Sequence, residues 1–452
     1  MTTPKPIWRS MLMFLVPLIL SNALQSIGQL IGSIIVGRSI GVNALAVISS
    51  FFPLFFLLVA FAMGIGAGSS ILIGQAHGAQ NTERVKAIVG TSLSFTFYLG
   101  LGLAVISSIF TWDLMRLLGI PDNIMADTVL YGRILFLSTP IMFLLFVYTT
   151  FMRGIGDSKT PSNFLMISTV LNVALLPLLI FGWMGLPKLG VFGAAYASVI
   201  SMLLTLVLML LYLRKKKHPL QFDASIRRHL RLDGQLLKLL LRLGIPSSIG
   251  MILVSLSEIA VITFVNRYGS EATAAYGAVN QVVSYIQMPA MSLSMAVSIF
   301  AAQSIGAGQL DRLKEVFRAG VVLNYVIGGV LVFAVYLFGE NILSWFLTST
   351  STLEMAHSLL MITLWSYLAL GHAQIISALM RASGTVLWPT LINGLSIWLV
   401  EVPLAYYLST FTELGIKGIW VGYPAAFLVV LIFQYVYYQW AWKKKQITRL
   451  VG

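Results

Sequence analysis

The sequence contains no cysteine, and only 10% of its 452 residues are charged. The absence of cysteine excludes disulfide bonds, thiol catalysis and cysteine-bound metal. The low charge excludes an ordinary soluble protein, in which about 25% of residues are charged. Acidic residues are fewer than basic residues, with 15 Asp and Glu against 29 Lys and Arg. Because 58% of the residues are hydrophobic and the mean hydropathy is +0.89, we predict that lipid surrounds most of the chain.

Long apolar segments occupy most of the sequence. A helix needs about 20 apolar residues to cross the hydrocarbon core of a bilayer, and we count twelve such segments. The first begins near Met11 and is too long for the core of a signal peptide. Lipid requires a backbone that satisfies its own hydrogen bonds, and strand-length alternation is absent. We therefore predict an all-α integral membrane protein with twelve transmembrane helices.

Basic residues are unevenly distributed among the predicted loops. If the N-terminus is cytoplasmic, most of the 29 Lys and Arg fall on the cytoplasmic side, as the positive-inside rule requires. We therefore predict a multi-pass protein of the plasma (inner) membrane with both termini in the cytoplasm. The run "RKKKH" (214–218) directly follows an apolar segment. That position favours contact with anionic membrane lipids over nucleic-acid binding.

The two halves of the sequence repeat one another. "FMRGIGDSKTP" (151–161) matches "LMRASGTVLWP" (379–389), 228 residues later, and three further segments match at nearly the same offset. The longest polar stretch lies between the halves. We predict a six-helix N-terminal lobe (1–213), a basic cytoplasmic linker (214–235) and a six-helix C-terminal lobe (236–452). Two halves of even span number keep the same orientation, so a pseudo-two-fold axis along the membrane normal should relate them.

Such a duplication is typical of secondary transporters, which place a substrate site between the halves. A channel would not require two lobes related in this way. No predicted span carries a metal-ligand cluster or a nucleophile beside a base, which argues against a membrane enzyme. We therefore predict a transporter without a cofactor or metal centre. One chain holds both halves, so it should function as a monomer.

Several motifs resemble those of one family, the multidrug and toxic compound extrusion (MATE) antiporters. They are "IIVGRSIGVNALA", "GQAHGAQN", "MRGIGDSKTP", "GVFGAAYAS" and "AAYGAVNQVVSYIQMPAMSLSMAVSIFAAQSIGAG". The resemblance runs over nearly the whole chain. It implies a two-lobed exporter with a cleft between the lobes, which expels small amphipathic, often cationic compounds in exchange for H⁺ or Na⁺. A flippase for lipid-linked precursors, or an exporter of another endogenous metabolite, is the alternative that the same two-lobed fold allows.

The sequence departs from the family at its usual ion sites. Positions at which many members carry an acid hold Gly32, Leu176 and Leu370 here. Members with an acid in the seventh span often carry it near Val254, about one turn before the glutamate of this chain. The family's ion sites therefore do not transfer residue by residue, and the resemblance leaves the coupling ion open.

Two acids lie clearly inside predicted spans, Glu258 in the seventh and Glu401 in the eleventh. A carboxylate within the membrane costs about 2.5 to 3.5 kcal/mol on insertion scales, so it persists where it is paired, faces a cavity or is used. Two nearby carboxyls can load and release a proton. We predict that Glu258 is the main cation-coupling residue and that Glu401 cooperates with it. The structural alternative for each is a protonated glutamate that hydrogen-bonds a neighbouring helix.

Other polar and flexible side chains in the spans are candidates for a substrate cavity. The flexible thioethers of methionine suit loosely specified ligands, although ordinary helix packing explains each methionine at least as well. Gln29 is the counterpart of Glu258 in the first half. The candidates are Asn22, Gln25, Gln29, Gln281, Tyr285, Gln287, Met288, Met291, Met295, His372 and Gln374.

Overall fold

The structure, a computed structural model, describes residues 6–451, and these are almost entirely helical. They contain no β-strand. A 3₁₀ turn (Trp183–Gly185) and two π-helical turns (Ile397–Glu401 and Tyr438–Trp442) complete the secondary structure. The α-helices are α1 (Ile7–Ser39), α2 (Val42–Gly78), α3 (Thr82–Ile109), α4 (Thr111–Leu117), α5 (Asp122–Leu137), α6 (Thr139–Gly154), α7 (Lys159–Phe181), α8 (Val191–Lys215), α9 (Ala224–Arg228), α10 (Gly234–Asn266), α11 (Ser270–Gly306), α12 (Arg312–Ser344), α13 (Thr350–Thr363), α14 (Ser366–Ala382), α15 (Leu387–Ser396), α16 (Val402–Phe411) and α17 (Ile416–Tyr437).

The span count agrees with the sequence-based prediction. Within residues 6–451, ten helical segments are long and apolar enough to cross a membrane. Two bent pairs raise the number to twelve if each pair is one span. The pair α5 and α6 bends by 47°, and the pair α13 and α14 bends by 43°. The all-helical fold with up to twelve spans is therefore confirmed.

The duplication is visible in the lengths of the helices. The first long helix of each half, α1 and α10, contains 33 residues, and the second, α2 and α11, contains 37. Both bent pairs occupy the same place in their halves. Because helix ends and bends recur at one offset, the two halves share one backbone plan.

Glycines at helix ends repeat in the same way. Gly41 and Gly269 have φ angles of 106° and 93° immediately before α2 and α11. Gly156 and Gly384 have φ angles of 92° and 86° in the turns after α6 and α14. A positive φ favours glycine because it has no Cβ. The matched turns therefore explain why these glycines recur in both halves.

The described chain folds into two compact units. One comprises Leu20–Ser248, and the other comprises the described part of Met1–Ile19 together with Ile249–Gly452. Helices α1 and α10 are thus each divided between the units. Pro17 and Pro246 lie three residues before the two points of division. Proline removes a backbone hydrogen bond from a helix, so each helix is weakened close to the point where it changes unit.

The connector between the halves packs on the first unit. Lys86 Nζ of α3 donates to Asp223 Oδ2 at 2.7 Å, and Ser94 Oγ donates to the Leu230 carbonyl at 2.6 Å. Asp223 also caps α9, since its Oδ1 accepts from the Ile226 backbone N–H at 2.9 Å. The connector is therefore held by side-chain contacts along α3.

The predicted lobes 1–213 and 236–452 and the linker 214–235 follow the internal duplication of the sequence. The compact units follow packing, and the residues of the linker belong to the unit Leu20–Ser248. The boundaries of the sequence repeat and the boundaries of the compact units therefore do not coincide. As a division into functional lobes, the three predicted segments stay a prediction.

Aromatic packing brings three helices of the second half together. Trp420 of α17 is fully buried and stacks on Tyr276 of α11, with ring centroids 6.0 Å apart and planes at 7°. Tyr367 of α14 packs edge-on against Phe427 of α17 at 5.1 Å. These contacts place two tyrosines at the junction of α11, α14 and α17.

Candidate functional site

Glu401 lies at the end of a π-helical turn. The turn spans Ile397–Glu401, and the Val402 backbone N–H donates to the Ile397 carbonyl five residues earlier. Pro403 follows and contributes no backbone N–H. Glu401 itself is buried, with 3% of its surface exposed. Such turns inside α-helices are frequent at functional sites, because the extra residue re-aims a side chain.

Neighbouring helices hold this turn in place. Trp398 Nε1 donates to the Leu253 carbonyl of α10 at 3.0 Å. On the other side α17 approaches so closely that a Cβ at Gly422 would lie 3.1 Å from the Glu401 carbonyl oxygen. The backbone that carries Glu401 is therefore fixed between α10 and α17.

Glu258 lies on α10, about one and a half turns beyond Leu253. Its side chain is exposed, in contrast to the buried Glu401. The charges of the two carboxylates interact. The structure thus brings the two predicted coupling residues into one electrostatic neighbourhood, one accessible and one enclosed.

Three buried tyrosines lie in the same neighbourhood. The hydroxyls of Tyr276 and Tyr423 are 2.7 Å apart, a normal hydrogen-bond distance. Tyr276 and Tyr367 interact electrostatically with both glutamates, and Tyr423 interacts with Glu401. We call Glu258, Glu401, Tyr276, Tyr367 and Tyr423 the acid–tyrosine cluster. All five belong to the unit that contains Ile249–Gly452.

Two side-chain amides extend the acid–tyrosine cluster. Asn280 lies beside Tyr276, and Gln287 lies beside Tyr367. Asn280 is exposed and Gln287 is half-buried. Gln287 is predicted to line the substrate cavity, and that role stays a prediction. The cluster therefore continues from a buried carboxyl to accessible polar groups on α11.

The corresponding place in the first half is polar but not acidic. Gln29 matches Glu258, and Val173, preceded by Asn172, matches Glu401. Asn172 Nδ2 donates to Ser198 Oγ at 3.1 Å, and Ser198 is the counterpart of Tyr423. Uncharged residues thus occupy the places at which the second half carries these two acids, so at the matched positions a carboxylate is present in the second half and absent from the first.

The remaining candidates on α11 occupy two environments. Gln281 Nε2 donates to the Tyr285 hydroxyl at 3.4 Å, and Tyr285 is exposed. Met291 is also exposed, and Met288 is half-buried. Met295 packs beside a small apolar cluster that includes Phe14 and Leu18, which is an ordinary helix-packing contact. As cavity residues, all five predicted positions stay predictions.

The candidates on α14 are placed away from Tyr367. His372 Nδ1 lies 3.1 Å from the Tyr325 hydroxyl of α12, and its ring contacts Phe317 of the same helix. The Gln374 carbonyl accepts from Ser294 Oγ at 3.2 Å. His372 therefore lies against α12, and its predicted role in a cavity stays untested.

The candidates on α1 belong to the unit Leu20–Ser248. Gln25 Nε2 donates to the Ser21 carbonyl at 3.2 Å within the same helix. Asn22 and Gln25 are half-buried, and Gln29 is exposed. Their assignment to the substrate cavity also stays a prediction.

The described part of the chain contains no cluster of side chains that could bind a metal ion. Among residues 6–451 there is no group of three or more His, Asp or Glu side chains arranged to hold a metal ion. The chemistry available to the acid–tyrosine cluster is proton transfer, hydrogen bonding and attraction of a cation.

The apolar helices are duplicated, and two acids lie inside the spans. These features are typical of one class of protein, multi-pass membrane proteins built like secondary transporters. The MatE family model matches residues 17–178 and again residues 246–407. The chain belongs to the MATE family, and the predicted family is confirmed. The double match also reproduces the internal duplication.

Relatives and a solved structure resemble the chain over most of its length. The probable multidrug resistance protein YoeA of Bacillus subtilis is 66% identical over 98% of this chain and 96% of its own length. A protein named FAD transporter of Shewanella oneidensis is 28% identical over 88% of this chain and 86% of its own length. The crystal structure of a mutant of the MATE transporter VcmN from Vibrio cholerae superimposes with a TM-score of 0.89, at 20% identity and 98% coverage of both chains.

Proposed function

We propose that the protein is a secondary active multidrug exporter that expels amphipathic cations in exchange for protons. The observation that carries the proposal is the acid–tyrosine cluster, in which an exposed Glu258 and a buried Glu401 interact inside the membrane spans. The name of the relative YoeA, a probable multidrug resistance protein, supports drugs as the substrates.

Competition for the same carboxylates provides the coupling. A negative charge within the membrane is costly, so the cluster is stable when a proton or a bound cation neutralises it. A proton and a cationic drug then exclude each other. If the cluster opens alternately to the two sides of the membrane, each drug that leaves is exchanged for at least one proton that enters.

The negative charge of the acid–tyrosine cluster indicates the class of substrate. The acids lie in the second half, and two uncharged residues, Gln29 and Val173, occupy the matching positions of the first half. A cation is attracted to such a site, and the glutamines, Tyr285 and methionines of α11 offer polar and polarizable surface around it. This arrangement supports small amphipathic cations as ligands.

Protons are favoured over Na⁺ as the coupling ion. Three tyrosines interact electrostatically with one or both glutamates, and a tyrosine hydroxyl can both donate and accept a hydrogen bond. Such groups accommodate a carboxyl in either protonation state. A Na⁺ site would instead use carboxylate, hydroxyl and carbonyl oxygens converging on one point.

Location and orientation complete the proposal. The excess of Lys and Arg in alternate loops supports the plasma membrane with both termini in the cytoplasm. The cluster lies within one chain, which supports transport by a monomer. No cofactor is invoked, because exchange of a cation for a proton needs only the carboxylates.

Export of an endogenous metabolite is the second candidate, and the FAD transporter of Shewanella oneidensis favours it. FAD is an anionic dinucleotide, so its export would require cationic groups at the site. The acid–tyrosine cluster has the opposite sign.

Efflux of a fluorescent lipophilic cation from cells that express the protein separates these possibilities. We expect efflux that an uncoupler abolishes and that Na⁺ does not affect. Glu258→Gln, at equal expression, should reduce efflux to the background of cells without the protein. Glu413→Gln, a change of an exposed glutamate between α16 and α17, is the matched control and should leave efflux unchanged. Efflux that persists without a proton gradient, or flavin release without dye efflux, would contradict the proposal.

A further inference from the structure

Helix α15 and the π turn that follows it lie along α10. Thr390, Gly394 and Trp398 are spaced four residues apart, which places them on one side of a helix. A Cβ at Gly250 of α10 would lie 2.6 Å from Thr390 Cγ2, and a Cβ at Gly394 would lie 2.9 Å from Leu253 Cδ1. Trp398 Nε1 completes the row by donating to the Leu253 carbonyl at 3.0 Å. The two helical segments therefore run side by side in the same direction as far as Trp398.

An unbroken α-helix would continue this face to Glu401, three residues after Trp398, because residues three and four apart share one side of a helix. On α10, Glu258 lies eight residues after Gly250 and therefore on the same side as that glycine. In the α register Glu401 would thus face α10 at about the level of Glu258. The structure instead shows Glu401 buried, with α17 so close that a Cβ at Gly422 would lie 3.1 Å from its carbonyl oxygen.

The π turn explains this difference. Its hydrogen bond runs from the Val402 N–H to the Ile397 carbonyl, whereas the α register would use the carbonyl of Trp398. The extra residue in the turn rotates Glu401 off the face that meets α10. Glu401 is consequently enclosed, while Glu258 stays exposed.

The local sequence makes the turn sensitive to contacts from outside. In an α-helix the Leu399 carbonyl would accept from the N–H of the residue four positions later, but that residue is Pro403, which has no N–H. The α register therefore lacks one backbone hydrogen bond, which brings the two registers closer in free energy. Trp398 adds a contact that favours one of them. Its indole N–H is a donor only, and within a membrane span it needs an acceptor such as the Leu253 carbonyl.

We propose that Trp398 is a positioning residue, whose hydrogen bond to Leu253 holds the π turn and thereby keeps Glu401 enclosed. The proposal rests on the function proposed above in that Glu401 takes part in proton exchange. Without the bond, the Val402 N–H bonds to the carbonyl of residue 398 and the turn becomes α-helical. Glu401 then faces α10 beside Glu258 and becomes accessible. Trp398 therefore keeps the two carboxyls in different environments.

Chemical modification of carboxyls tests this arrangement. Purified protein in detergent is treated with a water-soluble carbodiimide and glycine amide, which convert accessible carboxyls into amides, and peptide mass spectrometry measures the rate at each glutamate. In wild type, Glu258 should react and Glu401 should be protected. In Trp398→Phe, Glu401 should react at least about tenfold faster, which corresponds to about 1.4 kcal/mol in favour of the α register. The rate at Glu258 should change little.

Two matched variants separate the hydrogen bond from the ring. Trp398→His keeps a five-membered ring with an N–H at the equivalent position, and it should protect Glu401 better than Trp398→Phe does. Trp388→Phe makes the same change at an exposed tryptophan of α15 whose ring packs against Tyr437, and it should give the wild-type pattern. Equal rates at Glu401 in the histidine and phenylalanine variants would show that the hydrogen bond is not responsible.

Distinct results separate the failure of the positioning role from the failure of the proposed function. If the wild type binds tetraphenylphosphonium, a lipophilic cation, without releasing protons, proton coupling itself is wrong, whereas the protection of Glu401 is unaffected. If the wild type releases protons and Glu401 stays protected in folded Trp398→Phe, the positioning role is wrong. If that variant does not fold, Pro403→Ala decides, because its N–H restores the bond to the Leu399 carbonyl and favours the α register. Continued protection of Glu401 in Pro403→Ala would overturn the proposal.

Discussion

Two groups of acidic residues differ in their surroundings. Near the connector, two acids contact basic groups: Asp223 contacts Lys86 at 2.7 Å, and Asp157 contacts His218 at 3.7 Å. In the spans, Glu258 and Glu401 interact electrostatically with each other and with tyrosines. The first group stabilises the fold, and we propose that the second group performs the exchange.

Asp157 allows the first role to be tested through pH. Burial raises the pKa of Asp157, but the nearby His218 ring and the hydrogen bond from the Thr160 N–H outweigh it, so the pKa lies below its ordinary value. A carboxyl with a lowered folded-state pKa stabilises the protein above the unfolded-state pKa of about 3.9. The contribution is lost as the pH falls through the folded-state pKa.

Asp157→Asn should therefore destabilise the protein at pH 7 by about 1 kcal/mol, less than the 1.5 to 3 kcal/mol of a buried charged hydrogen bond, because the site is partly exposed. Apparent melting temperatures in detergent measure the effect, and the difference from wild type should shrink as the pH approaches 3.5. Asp127→Asn on the exposed side of α5 is the control and should melt like wild type. An equal deficit at both pH values would show that the charge of Asp157 is not involved.

Helices in this protein depend on close approach at a few glycines. A Cβ at Gly418 of α17 would lie 2.6 Å from the backbone of Leu408 in α16. Its counterpart in the first half, Gly193 of α8, would place a Cβ 2.7 Å from the backbone of Leu179 in α7. Small residues at helix interfaces permit such contacts in membranes, where packing drives association.

Gly418→Ala should therefore lower the melting temperature, because backbone atoms have to move apart by several tenths of an ångström. Gly329→Ala in α12 makes the same change where no atom lies within 4 Å of the new Cβ. This control should melt at or above the wild-type temperature, since alanine is favoured over glycine in a helix by up to about 1 kcal/mol. If both variants melted alike, the close approach of α16 and α17 would not matter for stability.

Some features of the helices could not be read from the sequence. The apolar segments predicted the spans, but they did not predict the bend between α13 and α14. The residues at that bend are Leu364 and Trp365, and neither is a proline. The π turn before Val402 likewise has no signature in hydrophobic periodicity. Both depend on contacts between helices, such as that of Trp398 with Leu253, which the sequence of one helix does not specify.

The whole molecule consists of two repeated halves that differ in their intramembrane acids. The matched segments predicted the repeat, and the helix lengths and the double family match bear it out. Glu258 and Glu401 could be selected from the sequence because acids are rare in spans. Tyr276, Tyr367 and Tyr423 could not, since tyrosine is common in this chain and only the packing of α11, α14 and α17 brings these three together.

We propose that the second half carries the coupling charge for both halves. The direct measurement is the number of protons released when purified protein binds tetraphenylphosphonium. We predict at least one proton for the wild type and for Glu413→Gln. We predict fewer for Glu401→Gln and none for Glu258→Gln combined with Glu401→Gln. Full proton release from that folded double variant would contradict the account.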